Sequence, residues 1–291
     1  MHHVRWGRAR ICSDIRKSLK IFIIFTENNN VMRLNKGTLL IGAVILIFTL
    51  FRYFSNTQVN EVTGETQHVA LSVNDEIAMG LQSAPQMAAE FGGLSSNMNN
   101  QALVKEVGQK VVFQSSASRT PYKYDFHLLA DPNTVNAFAL PGGQIFITEG
   151  LLSRLKTEDQ LAGVLGHEVG HVVARHSGEK MAKDQLYQGL LNSAAIGTGG
   201  DMSVTQIGQV VAANVSMSFG RDQELQSDDL GVRFMMESGY DPEALMDVMQ
   251  ILKDASGGRD VPEFQSTHPS PENRKEKIRA AIDKYKVALG K

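Results

Sequence analysis

Two histidines and a glutamate in the segment His167-Glu168-Val-Gly-His171 have a spacing that suits metal chemistry. Residues four apart lie on one face of an α-helix, so the imidazoles of His167 and His171 can share one zinc ion. Glu168 points about 100° away round the helix, where its carboxylate can act as general base toward a zinc-activated water. The pattern predicts hydrolysis of a peptide bond; a surface helix with two ordinary histidines is the alternative.

A catalytic zinc site needs a third protein ligand. Ala174 and Ser177 stand where an extended helical motif would place a glycine and a histidine, so that type of site is absent. Glu224 lies on a later predicted helix, with Asp228 one turn further on the same face. Glu224 is therefore a candidate ligand, and Asp228 a candidate acceptor for the N–H of a ligand histidine. Spacing alone leaves open an acidic helix start that only faces solvent.

His176 is a further histidine close to the motif. If the helix continues, nine residues place it about 180° round from His167. We therefore predict that His176 caps the helix end or contacts a carboxylate, and that it is not a ligand.

The elements that position these residues are mainly helices. Thr157 and Gln160 form a capping box that begins a helix, which we expect to reach about His176. Arg221–Ser238 forms a later helix that ends before Gly239. Other helices are predicted over residues 74–91, 98–113 and 243–253 and from Ser270-Pro271 onward, with two weaker helices in 179–217 that could act as a mobile flap around 197–201.

Short strands complete the prediction. Tyr122–Leu128 alternates apolar and polar residues, as a half-buried strand does, and leaves His127 at the surface. Thr134–Leu140 and Gln144–Thr148 flank Pro141-Gly142-Gly143, which predicts a hairpin or sharp reversal between paired strands. The fold class is therefore α+β, a mostly helical domain with a small β-sheet next to the His167–His171 helix.

Composition excludes several classes of protein. A chain of 291 residues with 42% hydrophobic residues can bury a sizeable core, and a formal net charge of −2 gives no long-range attraction to nucleic acid. Cys12 is the single cysteine, so the chain can build neither a disulfide framework nor a thiolate zinc site. Any metal must be held by histidines and carboxylates.

The N-terminal region is predicted to enter a membrane. Thr38–Phe51 is almost wholly apolar, follows Arg33 and Lys36, and is about 14 to 17 residues long, which suits a signal sequence or a short anchor. No small-residue cleavage site and no lipidation cysteine follow it, so we favour an uncleaved anchor. The rest of the chain would then lie in the periplasm, if the source is a Gram-negative bacterium.

Three segments follow from this interpretation. Residues 1–31 are a mis-called extension before Met32 or, alternatively, a basic cytoplasmic tail; residues 32–55 are the signal or anchor; and residues 70–291 are the metallopeptidase domain.

Four segments resemble one family, the HtpX-like and CAAX-prenyl-protease-like zinc metallopeptidases, which are gluzincins. They are NAFALPGGQIFITEGLL (136–152), HEVGHVVARHS (167–177), RDQELQSDDLG (221–231) and THPSPENR (267–274), in the same order. The resemblance implies one zinc per chain, held by His167, His171 and Glu224. It also implies similarity to compact members that degrade misfolded or misassembled cell-envelope proteins. Those members are often lipoproteins, which leaves inner and outer membrane association both open.

The resemblance further implies that Asn136, Ala137 and Phe138 belong to an edge strand on which an extended substrate pairs. A buried strand under the metal helix is the alternative, above all for Phe138. His268 is expected near the catalytic cleft. It could donate to the oxyanion, occupy the open zinc position, or cap a helix without touching the metal. Arg274 could pair with a site carboxylate such as Asp228.

Two other functions compete with an endopeptidase. A periplasmic chaperone or outer-membrane assembly factor could carry a structural zinc and cleave little, and an aminopeptidase could use the same motif on short peptides. Sequence does not determine the oligomeric state or the substrate.

Overall fold

The computed structural model describes residues 35–198, 219–255, 264, 268 and 273–290. The described chain is mostly helical with two small sheets, which confirms the α+β class. In chain order the elements are α1 (Lys36–Ser55), β1 (Thr57–Val59), β2 (Thr66–His68), α2 (Val73–Glu90), α3 (Met98–Phe113), a 3-10 turn (Ser116–Arg119), β3 (Asp125–Leu129), β4 (Ala137–Ala139), β5 (Gln144–Thr148), α4 (Glu149–Leu152), α5 (Glu158–Val173), α6 (His176–Gly197), α7 (Arg221–Glu237), α8 (Ala244–Ala255) and α9 (Arg274–Leu289).

The chain divides into two compact units. One comprises Met1–His68 with Ala182–Val215, and the other comprises Val69–Met181 with Ser216–Lys291. The predicted segment boundaries at residues 31, 55 and 70 stay a prediction, and residues 1–31 lie outside the described part of the chain.

In the first unit, α1 contains the predicted apolar segment. Asn35 caps it, accepting the N–H of Gly37 at 2.9 Å, and Gly42 is its one buried residue. The helix has 20 residues and a mean hydropathy of 2.0, so by length and composition it could cross a membrane. Beside it, β1 and β2 form an antiparallel pair.

In the second unit, a three-stranded sheet has the order β3-β5-β4. The strands β3 and β5 are parallel, with Phe126 opposite Ile145, whereas β4 is antiparallel to β5, with Phe138 opposite Phe146. All five residues of β5 are buried, because it lies between two strands and under helices. Within the described residues β4 is an edge strand, as predicted.

The predicted hairpin between β4 and β5 is confirmed. Its turn contains Gly142 (φ +80°) and Gly143 (φ +107°). A Cβ at Gly142 would lie 2.4 Å from the Cα of Ile77 in α2, so the close contact between turn and helix requires glycine.

Several predicted boundaries need correction. The β3 strand begins at Asp125 and not at Tyr122, and α5 ends at Val173 and not at His176. Arg175 adopts a left-handed conformation (φ 55°), and α6 then runs as one helix from His176 to Gly197. The start predicted at Ser270-Pro271 and most of the predicted flap lie outside the described residues. The predictions for α2, α3 and α7 agree with the structure to within a residue.

Candidate metal centre

Two helices of the second unit, α5 and α7, approach each other closely through glycines. A Cβ at Gly170 would lie 2.9 Å from the carbonyl oxygen of Ser227, and a Cβ at Gly231 would lie 3.2 Å from the backbone nitrogen of His167. Only glycine permits this separation without a shift of backbone. The short distance allows side chains of α7 to reach the histidines of α5.

Four buried side chains converge there: His167, His171, Glu224 and His268, called here the metal cluster. One nitrogen or oxygen from each lies within 4.8 Å of the others. The Nε2 atoms of His167 and His171 are 3.1 Å apart. Glu224 Oε2 lies 3.4 Å from Nε2 of His167, and Glu224 Oε1 lies 3.4 Å from Nε2 of His171. His268 Nδ1 is 3.4 Å from His167 Nε2 and 3.0 Å from Glu224 Oε1.

These separations fit the ligand set of one ion. Ligand atoms at tetrahedral positions around zinc lie roughly 3.3 Å apart, because each is about 2.0–2.1 Å from the metal. Imidazole nitrogens and a carboxylate are donors that zinc accepts. The donor set and its spacing therefore fit a divalent transition-metal ion.

Buried polar atoms without hydrogen-bond partners also indicate that a metal ion binds at this cluster. Within the described residues, both carboxylate oxygens of Glu168, Oε2 of Glu224 and Nε2 of His268 are buried without a hydrogen-bond partner. Buried polar atoms in native proteins are nearly always hydrogen-bonded, because desolvation without a partner is costly. Two of these atoms belong to side chains of the metal cluster, and the other two belong to Glu168, whose Oε1 lies 3.7 Å from Nε2 of His268.

A carboxylate and an arginine orient His167 from behind. Asp228 Oδ1 lies 2.9 Å from His167 Nδ1, so Nε2 of that ring faces the metal cluster. Arg274 donates two hydrogen bonds to Asp228, from Nε at 2.6 Å and from a terminal nitrogen at 2.8 Å. The structure thus brings Asp228 and Arg274 together, in the pairing that the sequence suggested.

The pKa values follow from these contacts. Burial opposes ionisation of Asp228, but Arg274 and His167 lower its pKa below the usual range. Burial also lowers the pKa of His167, yet the contacts with Asp228 and Glu224 outweigh it and raise that pKa to about 9. The pKa of Glu224 is held well below its usual range despite burial, chiefly by His268 and His167. Carboxylates therefore favour positive charge at this centre.

Glu168 has a different environment from the other carboxylates. It is fully buried, its Oε1 lies 3.7 Å from Nε2 of His268, and neither oxygen accepts a hydrogen bond from the described residues. Burial raises its pKa, although His268 and His167 oppose the rise. Its carboxylate is beside the cluster and outside the ligand set, as helix geometry predicts.

One of the two roles predicted for His176, capping the end of α5, is wrong, and the other, contact with a carboxylate, stays a prediction. His176 does not cap α5, because that helix ends at Val173 and His176 begins α6. Its Nδ1 lies 2.9 Å from Nδ1 of His171, and its Nε2 lies 2.9 Å from the side-chain oxygen of Gln226. The residue is fully buried, so it supports His171 from behind.

The three residues that the resemblance assigned to substrate pairing lie in the edge strand β4 and just before it. Asn136, just before β4, is buried, and its backbone N–H donates to Thr148 Oγ1 at 3.2 Å, while its side-chain oxygen has no hydrogen-bond partner in the described chain. Ala137 is also buried, and the half-buried Phe138 stacks on Phe146. Phe138 therefore contributes to the core, and substrate binding by the three residues stays a prediction.

A second buried polar group, called here the Glu76 cluster, was missed from the sequence. Arg175 Nε donates to both oxygens of Glu76 at 3.2 Å, and the Tyr122 hydroxyl donates to Glu76 Oε2 at 2.7 Å. Its members come from three distant segments, so no local spacing connects them. The one available signal is Arg175 itself, a charged residue directly after the apolar run Val172-Val173-Ala174.

Comparisons with known proteins agree with this geometry. The model of peptidase family M48 matches residues 98–282. The mitochondrial metalloendopeptidase OMA1 of Schizosaccharomyces pombe is 30% identical over 255 residues, which are 86% of this chain and 72% of that protein. The beta-barrel assembly-enhancing protease of Yersinia pestis is 29% identical over 229 residues, and the metalloprotease YcaL of Escherichia coli is 29% identical over 171. The chain spans 44% of the Yersinia protein and 63% of YcaL.

Proposed function

Because this chain belongs to peptidase family M48 and is therefore a metallopeptidase, we propose that it is a zinc endopeptidase with Glu168 as general base. The observation that carries the proposal is the convergence of four buried side chains, whose neighbouring nitrogen and oxygen atoms lie 3.0–3.4 Å apart, beside a buried carboxylate without a hydrogen-bond partner in the described chain. His167, His171 and Glu224 would hold one zinc ion per chain.

The zinc ion, when bound, supplies positive charge that acidifies a water molecule and polarises the substrate carbonyl. Glu168 takes a proton from the attacking water and delivers it to the leaving amine. Burial raises the pKa of Glu168, which makes its carboxylate a stronger base toward the attacking water. Asp228, held by Arg274, keeps His167 in the orientation that presents Nε2 to the metal.

The substrates would be extended or unfolded protein segments. The β4 strand has a free edge within the described residues, so a substrate backbone can add to the sheet by β-augmentation. Asn136 supports this proposal, because its buried side-chain oxygen lacks a hydrogen-bond partner in the described chain and could accept a substrate N–H. Since one relative is named as enhancing β-barrel assembly, we extend the proposal to misfolded or misassembled envelope proteins.

The location is part of the proposal. The α1 helix would anchor the chain to a membrane, with the peptidase unit in the periplasm. The relatives come from bacteria and from mitochondria. The periplasm is therefore the proposed compartment only if the chain comes from a Gram-negative bacterium. A chaperone or assembly factor with little proteolysis is the less favoured alternative, because the relatives named here are proteases.

Metal analysis and a cleavage assay test the proposal together. Purified wild type should contain one zinc per chain and cleave casein. Glu168→Gln should keep the zinc and the fold but lose cleavage by roughly 10²- to 10⁴-fold, the usual contribution of acid–base catalysis. Glu158→Gln, the same change at an exposed position of the same helix, is the control and should cleave like wild type. Unchanged cleavage by Glu168→Gln would refute the mechanism; stoichiometric zinc without cleavage in wild type would favour the chaperone.

A further inference from the structure

His176 lies directly behind His171, on the side away from the metal cluster. Its two ring nitrogens face different partners: Nδ1 is 2.9 Å from His171 Nδ1 and 3.3 Å from the hydroxyl oxygen of Ser227, and Nε2 is 2.9 Å from Gln226 Oε1. His176 and His171 are both buried, so the contact is not exchanged with solvent. The three side chains form a continuous hydrogen-bonded chain that ends at the cluster.

The end of α5 makes this arrangement possible. Five residues of regular helix would rotate His176 by about 140° from His171, which separates the two rings. Instead the helix stops at Val173, and the left-handed conformation of Arg175 (φ 55°) turns the chain so that α6 begins at His176. The break thus brings His176 back toward the ring that it contacts.

The partners fix the direction of the hydrogen bonds. The amide oxygen of Gln226 can only accept, so His176 Nε2 must carry the N–H. A neutral imidazole has one N–H, which leaves Nδ1 of His176 as an acceptor. The proton in the contact between the two histidines therefore belongs to Nδ1 of His171. That tautomer leaves the lone pair of His171 on Nε2, the atom that faces the cluster.

We propose that His176, held by Gln226, is a positioning residue that selects the metal-binding tautomer of His171. This inference rests on the proposed zinc site and deepens it. The role is the counterpart of Asp228 on His167, but the acceptor here is a neutral imidazole rather than a carboxylate. Zinc affinity should therefore depend on an acceptor at the position of His176 Nδ1, and on which end of the Gln226 amide faces Nε2.

Zinc affinity of the purified chain, measured by competition with a chromophoric chelator, tests the proposal. His176→Phe keeps the ring shape without an acceptor and should weaken zinc binding by roughly 10- to 100-fold. His176→Asn places a side-chain oxygen near the position of Nδ1 and should recover most of that loss. His127→Phe is the control, since His127 is a half-buried histidine that bonds Gln144 and stacks on Phe146. It should bind zinc as wild type does.

Gln226 variants keep the test valid if His176→Phe fails to fold, because Gln226 is only half-buried. Gln226→Glu retains an acceptor and should keep zinc affinity, whereas Gln226→Met removes it and should weaken binding. Equal zinc affinity in all variants would overturn the tautomer proposal but leave the zinc site in place. A loss of zinc affinity in Gln226→Glu as large as that in Gln226→Met would have the same meaning. Absence of zinc binding in wild type would overturn both proposals.

Discussion

Two buried polar clusters lie in the same unit of this protein, and they differ in how their atoms are satisfied. In the Glu76 cluster, both carboxylate oxygens accept from Arg175, and one also accepts from Tyr122. In the metal cluster, one oxygen of Glu224 and one nitrogen of His268 have no hydrogen-bond partner in the described chain. Both oxygens of the adjacent Glu168 also lack one there. Both clusters are buried, so burial alone does not distinguish them.

This difference indicates that the Glu76 cluster stabilises the fold, whereas the metal cluster can bind a ligand. A buried carboxylate whose partners are all protein groups contributes to the native state and has little capacity left for anything else. A cluster that leaves lone pairs unpaired toward a common space has that capacity. The comparison therefore predicts that mutations in the Glu76 cluster change stability, whereas mutations in the metal cluster change metal content and activity.

The largest expected effect comes from removal of a metal ligand. Glu224→Ala leaves two histidines of the proposed ligand triad, so bound zinc and casein cleavage should both be lost, by more than the roughly 10- to 100-fold typical of residues that only orient a ligand. His167→Ala and His171→Ala should behave alike. Metal analysis after gel filtration measures the effect. Stoichiometric zinc in Glu224→Ala would remove that residue from the ligand set.

The converse change should affect the fold and not the metal. Glu76→Leu leaves the buried Arg175 without its carboxylate partner, which should cost about 3–5 kcal/mol of unfolding free energy. Denaturant unfolding measures it. Glu90→Leu, an exposed position of the same helix, is the control and should change stability by no more than about 0.5 kcal/mol. Loss of zinc from Glu76→Leu without loss of stability would contradict the distinction between the two clusters.

The sequence predicted the local part of the site. Helix periodicity places His167 and His171 on one face and Glu224 above Asp228, and the capping box at Thr157 marks the start of α5. These features depend on residues within a few positions of one another. The family resemblance then connected the two helices, which periodicity could not do.

Tertiary contacts decided what the sequence could not predict. No glycine or proline lies at residues 174–176, so nothing local indicated that α5 ends at Val173 or that His176 turns back to His171. Tyr122 and Tyr124 fit the strand pattern, but their hydroxyls bond Glu76 and Thr120, and β3 begins after them. Side-chain partners from distant segments override the local pattern in both places.

A smaller effect is expected where a residue orients a ligand. Asp228→Ala removes the acceptor at His167 Nδ1 and should lower zinc affinity or cleavage by roughly 10- to 100-fold. Because Arg274 would then be buried without its main partner, Asp228→Asn is the matched variant that keeps the side-chain shape. Full activity of both variants would show that Asp228 only pairs with Arg274 and stabilises the fold, as Glu76 does with Arg175.

The smallest expected effect concerns His268, which the comparison places in the metal cluster although the sequence left its role open. Its ring lies between the proposed ligands and the proposed base: Nδ1 is 3.0 Å from Glu224 Oε1, and Nε2 is 3.7 Å from Glu168 Oε1. The substrate carbonyl must enter this space to meet both. We therefore expect that His268 holds the resting enzyme shut, and that His268→Ala raises casein cleavage at saturating zinc by up to about tenfold, a block of roughly 1.4 kcal/mol.

Initial cleavage rates measured together with zinc content separate the three roles that the sequence allowed for His268. A higher rate at unchanged zinc content means that the side chain blocks the site. A lower rate at unchanged zinc content means that it stabilises the oxyanion, since loss of one such donor typically slows catalysis by about 10²- to 10³-fold. Rates and zinc content equal to those of His127→Ala, a histidine change far from the cluster in sequence, would mean that the ring of His268 fills space without touching the reaction.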